Sequence, residues 1–234
     1  MTSVTYTAVP NARRGTAEPV AKLLHEHWER LGTRRGTRAL GAFKQAVLVL
    51  RWFIDGARLV QLARDNGIST TTAYRYLHEG LTVLADHAPD LATALERAPA
   101  AGYTHLNLDG TVIRTDCVAA PGPNKADLWW SGKHRHHGGN VQVISAPDGW
   151  PIWVSPVRPG RETPSRSHRD ANSTSGRKTF NKVIRGIHGV AERANALFKV
   201  TFKALRRVSL DLGSITRIVR AARALLQMEH GRTT

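Results

Sequence analysis

The sequence is poor in cysteine, in aromatic residues and in negative charge, and it has no long apolar run. The single cysteine, Cys117, excludes an internal disulfide bond and is typical of a reducing compartment. No apolar stretch approaches the roughly 20 residues that a membrane-spanning helix needs. Residues 1–15 also lack the apolar core of a secretory signal. We therefore expect a folded cytoplasmic protein with no membrane partner.

Basic residues greatly outnumber acidic ones. The chain has 34 Lys and Arg against 18 Asp and Glu, which gives a formal net charge of +16 and a pI of about 11.1. The excess is concentrated in residues 157–234, which contain 17 basic and 5 acidic residues. Such a surplus favours a polyanionic partner, most often nucleic acid. A basic surface without a specific partner remains the alternative.

Residues 17–98 predict a helical N-terminal domain, because their apolar residues recur at helical spacing. Helices are expected over 17–31, 38–54, 57–65 and 70–79, and the helical pattern continues over 81–98 with a break near Pro89. Pro99 to Gly102 then marks a domain boundary, since proline does not continue a helix and glycine loosens the chain.

A glycine turn separates the third and fourth predicted helices. Asn66 to Ser69 forms this turn, in which Gly67 suits a positive φ and Ser69 caps the next helix. A short helix, a glycine turn and a polar second helix together are the layout of a helix-turn-helix DNA-binding motif. The alternative is an ordinary corner between two helices of a bundle. In the first interpretation the predicted DNA contacts are Thr70, Thr71, Thr72, Tyr74, Arg75 and His78.

The pattern changes in residues 103–234, which predict a second domain containing a β-sheet. Residues 104–113 alternate polar and apolar side chains, so we expect a strand that ends at Asp109 and bends at Gly110. Aspartate is depleted from strands, and an Asp-Gly pair is also a common hairpin turn. Two further strands, over 140–146 and 150–156, are expected to flank the turn 147–149 and to complete an antiparallel sheet.

A basic loop, helices and one irregular segment complete the prediction. His134, His136 and His137 invite a metal-binding interpretation, but no cysteine or carboxylate lies at zinc spacing. Phosphate contact or plain solvation of Lys133, His134 and Arg135 is favoured instead. Residues 158–176 predict a loop. Helices are expected over 177–208 and 215–230, the last with Arg217, Arg220 and Arg223 as a basic stripe.

The order of these parts resembles the bacterial insertion-sequence transposases of the DDE superfamily, whose catalytic domain resembles ribonuclease H. The segments that carry the resemblance are LNLDGT (106–111), WSGKHRHHGGNVQV (130–143), SAPDGWPIWVSPVRPGRE (145–162) and AERANALFK (191–199). The resemblance implies an α+β chain with a helix-turn-helix DNA-binding domain over 17–98. It implies a ribonuclease H-like endonuclease domain, built on a mixed sheet, over 103–234.

The resemblance also implies metal-dependent cleavage and transfer of DNA strands. Three acidic side chains of the family hold two Mg²⁺ or Mn²⁺ ions, which activate the attacking oxygen and stabilise the leaving oxygen. Asp109 corresponds to the first acid and Glu192 to the last, and Arg193 and Lys199 correspond to phosphate contacts. The implied partner is double-stranded DNA, namely the terminal repeats of the insertion sequence. The implied location is the nucleoid. The resemblance leaves open whether the protein forms a homodimer.

The chain departs from the family where the second acid is expected. Residues 161–176 contain no apolar strand that leads to an acid. The aspartate in this segment, Asp170, has no scaffold of regular structure around it. A parallel crossover needs a dozen or more residues in addition to its strand, so these elements do not fit. We therefore expect an internally deleted, catalytically impaired transposase. The alternative is a non-catalytic helix-turn-helix protein that occupies the element's ends.

Overall fold

The computed structural model describes residues 13–34, 36–116, 120–122, 127–161, 189–190 and 192–232. The helices are α1 (Arg14–Arg30), α2 (Ala42–Leu50), α3 (Leu59–Asp65), α4 (Thr70–Asp86), α5 (Leu91–Ala100), α6 (192–201) and α7 (Ile215–His230). The strands are β1 (Asn107–Arg114), β2 (Trp130–Ser131), β3 (His136–Ser145), β4 (Pro151–Val154) and β5 (Arg158–Pro159). The chain is thus α+β, as predicted.

The described chain forms two compact units, the first ending at Val83 and the second beginning at Leu84. Helices dominate the first unit, and the sheet with its covering helices forms the second. This division falls within α4, whereas the sequence predicted a boundary at 99–102. The functions assigned to the domains 17–98 and 103–234 stay predictions. No helix among the described residues is both long enough and apolar enough to cross a membrane.

A polar network organises the first unit around Glu79 of α4. The carboxylate of Glu79 accepts hydrogen bonds from the Arg38 guanidinium, from Gln45 Nε2 at 2.8 Å and from Trp28 Nε1 at 3.2 Å. The Arg38 guanidinium also lies 4.2 Å from the centre of the Trp28 ring and 4.9 Å from that of Tyr76. Because these groups are partly buried, their mutual hydrogen bonds fix the chain before α2 against α4.

The predicted helix over 38–54 is therefore only partly correct. Residues 38–41 are not helical, because the Tyr76 hydroxyl accepts the backbone N–H of Ala39 at 2.9 Å and that of Leu40 at 3.4 Å. Helix α2 begins at Ala42 and passes into a π-helical turn over Arg51–Asp55. Gly56 ends this turn with φ 65°, in agreement with the predicted stop.

The second unit is built on a five-stranded sheet centred on β3. Strand β1 pairs antiparallel with β3 along its whole length, from Asn107 opposite Ser145 to Arg114 opposite Gly138. Strands β4 and β5 pair antiparallel with the opposite edge of β3, at residues 143–145 and 139–140, and β2 pairs antiparallel with its first two residues. The predicted antiparallel sheet around Asp109 is confirmed. The parallel pairing expected of a mixed sheet is confined, among the described residues, to the isolated bridge between Thr115 and Val208.

Strand β1 does not end at Asp109. The strand continues through Asp109 and Gly110, which pair with Val143 and Gln142 of β3, so the predicted bend at Gly110 is wrong. The long partner strand explains the difference, because eight consecutive pairs keep this segment extended. The predicted turn before β4 is correct: Gly149 has φ 85°, and the Trp150 backbone N–H donates to Asp148 Oδ1 at 3.0 Å.

Three glycines allow close packing at the start of β3. A Cβ atom on Gly138 would lie 2.5 Å from Val112 Cγ1 and 2.6 Å from the carbonyl oxygen of Ile113. A Cβ atom on Gly139 would overlap Val157, and one on Gly160 would overlap the Gly138 carbonyl. The Gly-Gly pair after the histidines therefore lets three segments of the sheet approach one another more closely than side chains would permit.

The C-terminal helices differ from the prediction at two points. The helix expected to reach residue 208 ends earlier: Phe202 is extended, with φ −115° and ψ 102°, and a short 3₁₀ turn covers Lys203–Leu205. Helix α7 is confirmed, but its basic stripe is wrong because Arg223 is only 1% exposed. Residues 177–188 lie outside the described residues.

Candidate nuclease and DNA-binding sites

Helix α6 is attached to strand β1 by two polar side chains. Asn195 Nδ2 donates a hydrogen bond to Asp109 Oδ2 at 2.8 Å, and Lys199 Nζ donates one to Thr111 Oγ1 at 2.8 Å. Asp109 and Thr111 lie on one face of the strand because side chains alternate along it, and Asn195 and Lys199 are one helical turn apart. The helix thus runs along β1 with its polar face over Asp109.

Glu192 lies on this same face of α6. It precedes Asn195 by three residues, which places it about one turn towards the start of the helix. The Glu192 side chain is exposed, whereas Asn195 is buried and Asp109 is half-buried. The structure therefore carries the two predicted acids on neighbouring elements, a strand and the helix that is hydrogen-bonded to it. The two acids stay predictions as catalytic and metal-binding residues.

Asn195 was not predicted from the sequence. Its side chain is 8% exposed, its Nδ2 is bonded to Asp109, and its Oδ1 is buried without a hydrogen-bond partner among the described residues. Buried polar atoms rarely lack partners, so this oxygen marks a place where an acceptor is available beside a carboxylate. The signal was present in the spacing, because Asn195 falls between Glu192 and Lys199 on one helical face.

The described residues do not supply a complete metal site. Cations such as Mg²⁺ take oxygen ligands, and Asp109, Glu192 and the amide oxygen of Asn195 are of this type. However, one oxygen of Asp109 already accepts the Asn195 amide, and no group of three His, Cys, Asp or Glu side chains that could hold a metal ion occurs among the described residues. Residues 162–188, which include the segment where the second acid is expected, lie outside them.

A basic loop lies close to Lys199, near the C-terminal end of α6. Lys133, His134 and Arg135 are all exposed in the loop between β2 and β3. Partial burial, followed by the charges of Lys133, His136 and Lys199, lowers the pKa of His134 and so disfavours the charged form of this imidazole. Partial burial likewise lowers the pKa of Lys199. The positive charge of the loop is therefore carried mainly by Lys133 and Arg135.

The other two histidines have structural partners. His137 Nε2 lies 3.2 Å from Asp127 Oδ2, and its ring lies edge-on to Trp130 with centroids 5.1 Å apart. Asp127 also accepts the Trp129 backbone N–H at 2.8 Å, which lowers the pKa of this carboxyl. His136 Nδ1 lies 3.0 Å from the His137 carbonyl oxygen. These contacts hold the two histidines in the loop.

Arg193 occupies a different position from Lys199. A Cβ atom on Gly149 would lie 3.2 Å from Arg193 Cδ, so the stem of this arginine packs over the turn between β3 and β4. The Arg193 side chain is exposed, whereas Lys199 is half-buried and bonded to Thr111. The two predicted phosphate contacts thus lie at separate places on α6, and both roles stay predictions.

The first unit contains a helix, a glycine turn and a second helix at the predicted positions. Helix α3 ends at Asp65, Gly67 has φ 63°, and the Ile68 backbone N–H bonds to the Ala63 carbonyl at 3.0 Å. Ser69 Oγ accepts the Thr72 backbone N–H at 3.1 Å, which caps α4 as predicted. Two helices and their turn thus lie where the sequence predicts them, and their assignment as a helix-turn-helix DNA-binding motif stays a prediction.

The start of α4 exposes the predicted contact residues. Thr70, Thr71, Tyr74 and Arg75 are exposed, and Tyr74 is 41% exposed despite its large ring. Thr72 is less available, because its hydroxyl lies 2.9 Å from Ser69 Oγ. His78 is partly buried and its ring stacks at 4.1 Å on that of Tyr74. Four of the six predicted side chains therefore share an exposed surface, and the other two support it.

Comparison with known families finds one match. Residues 108–166 match the family of DDE superfamily endonucleases. The match begins at β1, one residue before Asp109, and includes β2 to β5, but it covers about a quarter of the chain. Comparison with curated proteins and comparison with solved structures give no match. The family match supports a transposase-like nuclease origin for this segment and implies DNA as its substrate.

Proposed function

We propose that the chain is a transposase of a bacterial insertion sequence that binds the ends of its element and is catalytically impaired. The central observation is the attachment of α6 to β1, where Asn195 bonds to Asp109 beside Glu192. Asp109 and Glu192, which the resemblance gives as the first and last acids, lie on these adjoining elements, and this supports the proposal. The family match of residues 108–166 supports the assignment, because it includes Asp109 and the sheet around it.

DNA binding is assigned to the exposed start of α4. Thr70 and Thr71 have hydroxyl groups that bond to bases or phosphates, and Arg75 has a guanidinium fork that suits guanine or phosphate. A recognition helix enters the major groove with its N-terminal residues, which are the exposed ones here. The charge of +16 supports the same partner.

Impaired catalysis is inferred from the sequence, because residues 161–176 contain no apolar strand that leads to a second acid. Odd-numbered residues of β1 bond to β3, because the Thr115 N–H bonds to the His137 carbonyl and the pattern alternates. Leu108, Gly110 and Val112 therefore direct their backbone groups to the opposite edge. Within the described ranges, only Val208 pairs with that edge, through Arg114 and Asp116. A further strand leading to the second acid would belong there in the family.

The alternative function is a non-catalytic protein that occupies the element's ends and excludes an active transposase. Both functions require sequence-specific binding through α4. They differ in cleavage: any cleavage that depends on Asp109 would assign the chain to the first function, because a pure binding protein has none.

The experiment combines a binding-shift assay and an end-cleavage assay on the same labelled insertion-sequence DNA, with Mg²⁺ or Mn²⁺. We expect binding to the ends with weak or no cleavage. Equal affinity for the ends and for scrambled DNA would contradict the proposed recognition. Cleavage at the rate of a complete transposase would contradict the proposed impairment.

A further inference from the structure

The segment that follows α6 exposes three basic side chains, which are Lys203, Arg206 and Arg207. Their neighbours belong to the core, since Leu205 is fully buried and Val208 is 1% exposed. The backbone N–H of Val208 also donates to the Arg114 carbonyl of β1 at 2.8 Å. These contacts fix the segment to the sheet, so its basic side chains are held at a defined place on the surface of the second unit.

Two of these side chains adjoin the end of α6 that carries Lys199. Arg206 Nε donates to the Lys199 carbonyl oxygen at 3.0 Å, and the Arg206 backbone N–H donates to the Lys203 carbonyl oxygen at 3.1 Å. Lys199 in turn bonds to Thr111 of β1, on the face of the strand that carries Asp109. The two basic residues and Lys199 therefore form one surface beside the candidate nuclease site.

The basic loop between β2 and β3 extends this surface. Lys133 and Arg135 are exposed, and the charge of Lys199 acts on His134 between them. No Asp or Glu among the described residues forms an ion pair with the five cations, which are Lys133, Arg135, Lys199, Lys203 and Arg206. We call these five residues the basic surface of the second unit. Because its charges have one sign and lack counter-charges in the described chain, it is complementary to a polyanion.

A structural role explains only part of this arrangement. The bond from Arg206 Nε to the Lys199 carbonyl satisfies a backbone acceptor at the end of α6, as basic side chains do at helix C-termini. Lys203 is exposed and forms no hydrogen bond or ion pair with the described residues, so no such task accounts for it. Arg207 differs from both, because its Nε bonds to Asp116 Oδ1 at 2.5 Å and thereby has a counter-charge.

We propose that the basic surface of the second unit, through Lys203 and Arg206, binds the phosphate backbone of duplex DNA. The inference rests on the proposed function, which gives DNA as the partner, and it adds a second contact to the recognition assigned to α4. Backbone contacts position a protein on DNA without reading its sequence. The surface lies in the unit that contains Asp109, so it holds DNA at the candidate nuclease site whether or not cleavage follows.

The test measures how DNA binding by the full chain depends on salt, in EDTA so that no metal ion contributes. An element-end duplex and a scrambled duplex of equal length are titrated at several salt concentrations. Each lost phosphate contact lowers the slope of log affinity against log salt by about 0.9. For Lys203→Gln with Arg206→Gln we expect a slope lower by about 2 and an affinity about 10–60-fold lower at 0.1 M salt, equally on both duplexes. A slope equal to that of the wild type would overturn the proposal.

A control pair removes the same charge elsewhere. Arg30→Gln with Arg97→Gln replaces one exposed arginine in each unit and should leave the slope unchanged. An equal decrease in the control pair would mean that net charge alone attracts DNA, and would overturn a local surface. Lys203→Gln alone removes no hydrogen bond, so it should keep the wild-type Tm and still lower the slope by about 1. This single variant keeps the test valid if the double variant does not fold.

Asp116→Asn tests the surface in the opposite direction. It removes the counter-charge of Arg207, which lies next to Arg206 in the chain, and so adds a cation to the surface. Both side chains of this ion pair are exposed, and exposed pairs contribute little to stability, so the variant should fold. We expect tighter binding to both duplexes and a slope steeper by about 1. Unchanged or weaker binding would contradict the proposal.

The outcomes separate this inference from the proposed function. A wild type without preference for the element end, combined with a lower slope in the double variant, would contradict the proposed function and support the surface. A preference for the end with an unchanged slope in the double variant would support the proposed function and overturn the surface. A double variant that loses affinity for single-stranded RNA but not for duplex DNA would assign the surface to another nucleic acid and would also overturn the proposal.

Discussion

The side-chain amide of Asn195 donates a hydrogen bond of 2.8 Å to the carboxylate of Asp109, across 86 positions of the sequence. This bond connects the first strand of the sheet to the helix that carries Glu192. It also leaves the Asn195 carbonyl oxygen buried and without a partner among the described residues. The bond between Asn195 and Asp109 therefore holds the candidate nuclease site together. The Asn195 carbonyl oxygen is the acceptor in this site that has no donor among the described residues.

Replacement of the amide by a carboxylate should change metal dependence. In Asn195→Asp the donor to Asp109 is lost and two carboxylates face each other, so we expect a loss of about 1–3 kcal/mol of unfolding free energy at neutral pH. A divalent cation should offset this repulsion, because the variant offers an additional carboxylate beside Asp109. Thermal unfolding with and without Mn²⁺ checks this.

The control for this prediction is Asn195→Ala, which removes the same hydrogen bond without adding a carboxylate. It should lose stability and gain no stabilisation from Mn²⁺ beyond that of the wild type. An Asn195→Asp protein as stable as the wild type in metal-free buffer would show that the amide of Asn195 does not hold Asp109.

Gly138→Ala should destabilise the sheet. The added methyl group would contact Val112 and the Ile113 carbonyl at about 2.5 Å, and backbone atoms cannot move away without disturbing the β1–β3 pairing. Overpacking of this kind costs about 1–3 kcal/mol. Gly132→Ala is the matched control, because no atom lies within 4 Å of its added Cβ, and it should change stability by less than about 0.5 kcal/mol. Urea unfolding of both variants measures the difference, and equal stabilities would be inconsistent with the close packing.

The ion pair between Asp65 and Arg51 should make the first unit sensitive to acid. The hydrogen bond from Arg51, at 2.6 Å, lowers the pKa of Asp65 below 3.8, and the bond from Gln61 acts in the same direction against partial burial. A lowered pKa contributes stability that is present above the unfolded value of 3.8 and is lost as the pH falls through the folded value.

Asp65→Asn should therefore lose up to about 1 kcal/mol at pH 7, and the difference from the wild type should vanish in stronger acid. Urea unfolding at pH 7, 5, 4 and 3 measures it. Glu26→Gln serves as the control, because it removes an exposed ion pair of 3.9 Å between Glu26 and Lys22 of α1. The stability of this variant should differ little from that of the wild type at any pH. A deficit in Asp65→Asn that persists undiminished at pH 3 would exclude the charge as its cause.

Arg75→Ala should weaken recognition of the element's ends. Loss of a guanidinium that contacts a base costs about 1–3 kcal/mol, equivalent to about 5–150-fold in affinity, and relaxes specificity at one position. Arg30→Ala removes an exposed arginine at the end of α1 and should leave specific affinity unchanged. Binding-shift titrations at several salt concentrations separate the two effects, because a phosphate contact alone would reduce the salt dependence for all sequences equally.

Local patterns predicted much of the fold. Gly67 and Ser69 define the α3–α4 turn through a positive φ and an N-cap, and both depend on neighbours within a few residues. The turn at Asp148 and Gly149 is of the same kind. Alternation of polar and apolar residues also predicted a strand at Asp109, but not its buried face, because in β1 the polar Asn107 is buried and the apolar Leu108 is 63% exposed.

Long-range contacts explain what the patterns missed. The start of α2 is set by the Tyr76 hydroxyl, 36 positions away from Leu40, which no local signal reveals. The predicted basic stripe joined Arg217 to Arg223 in two steps of three residues. Each such step shifts the side chain by about 60° around the helix, so Arg223 points into the core. Asn195 is uncharged, and only its spacing between Glu192 and Lys199 points to Asp109.

The most direct test of the central claim is end-cleavage of labelled insertion-sequence DNA by the wild type and by Asp109→Ala, with Mg²⁺ or Mn²⁺, alongside a binding-shift assay on the same DNA. We predict that both proteins bind the ends with equal affinity and that the wild type shows weak cleavage or none, with any residual activity abolished by the substitution. Efficient cleavage by the wild type that Asp109→Ala removes would mean that the metal site is complete, and would contradict the proposed impairment.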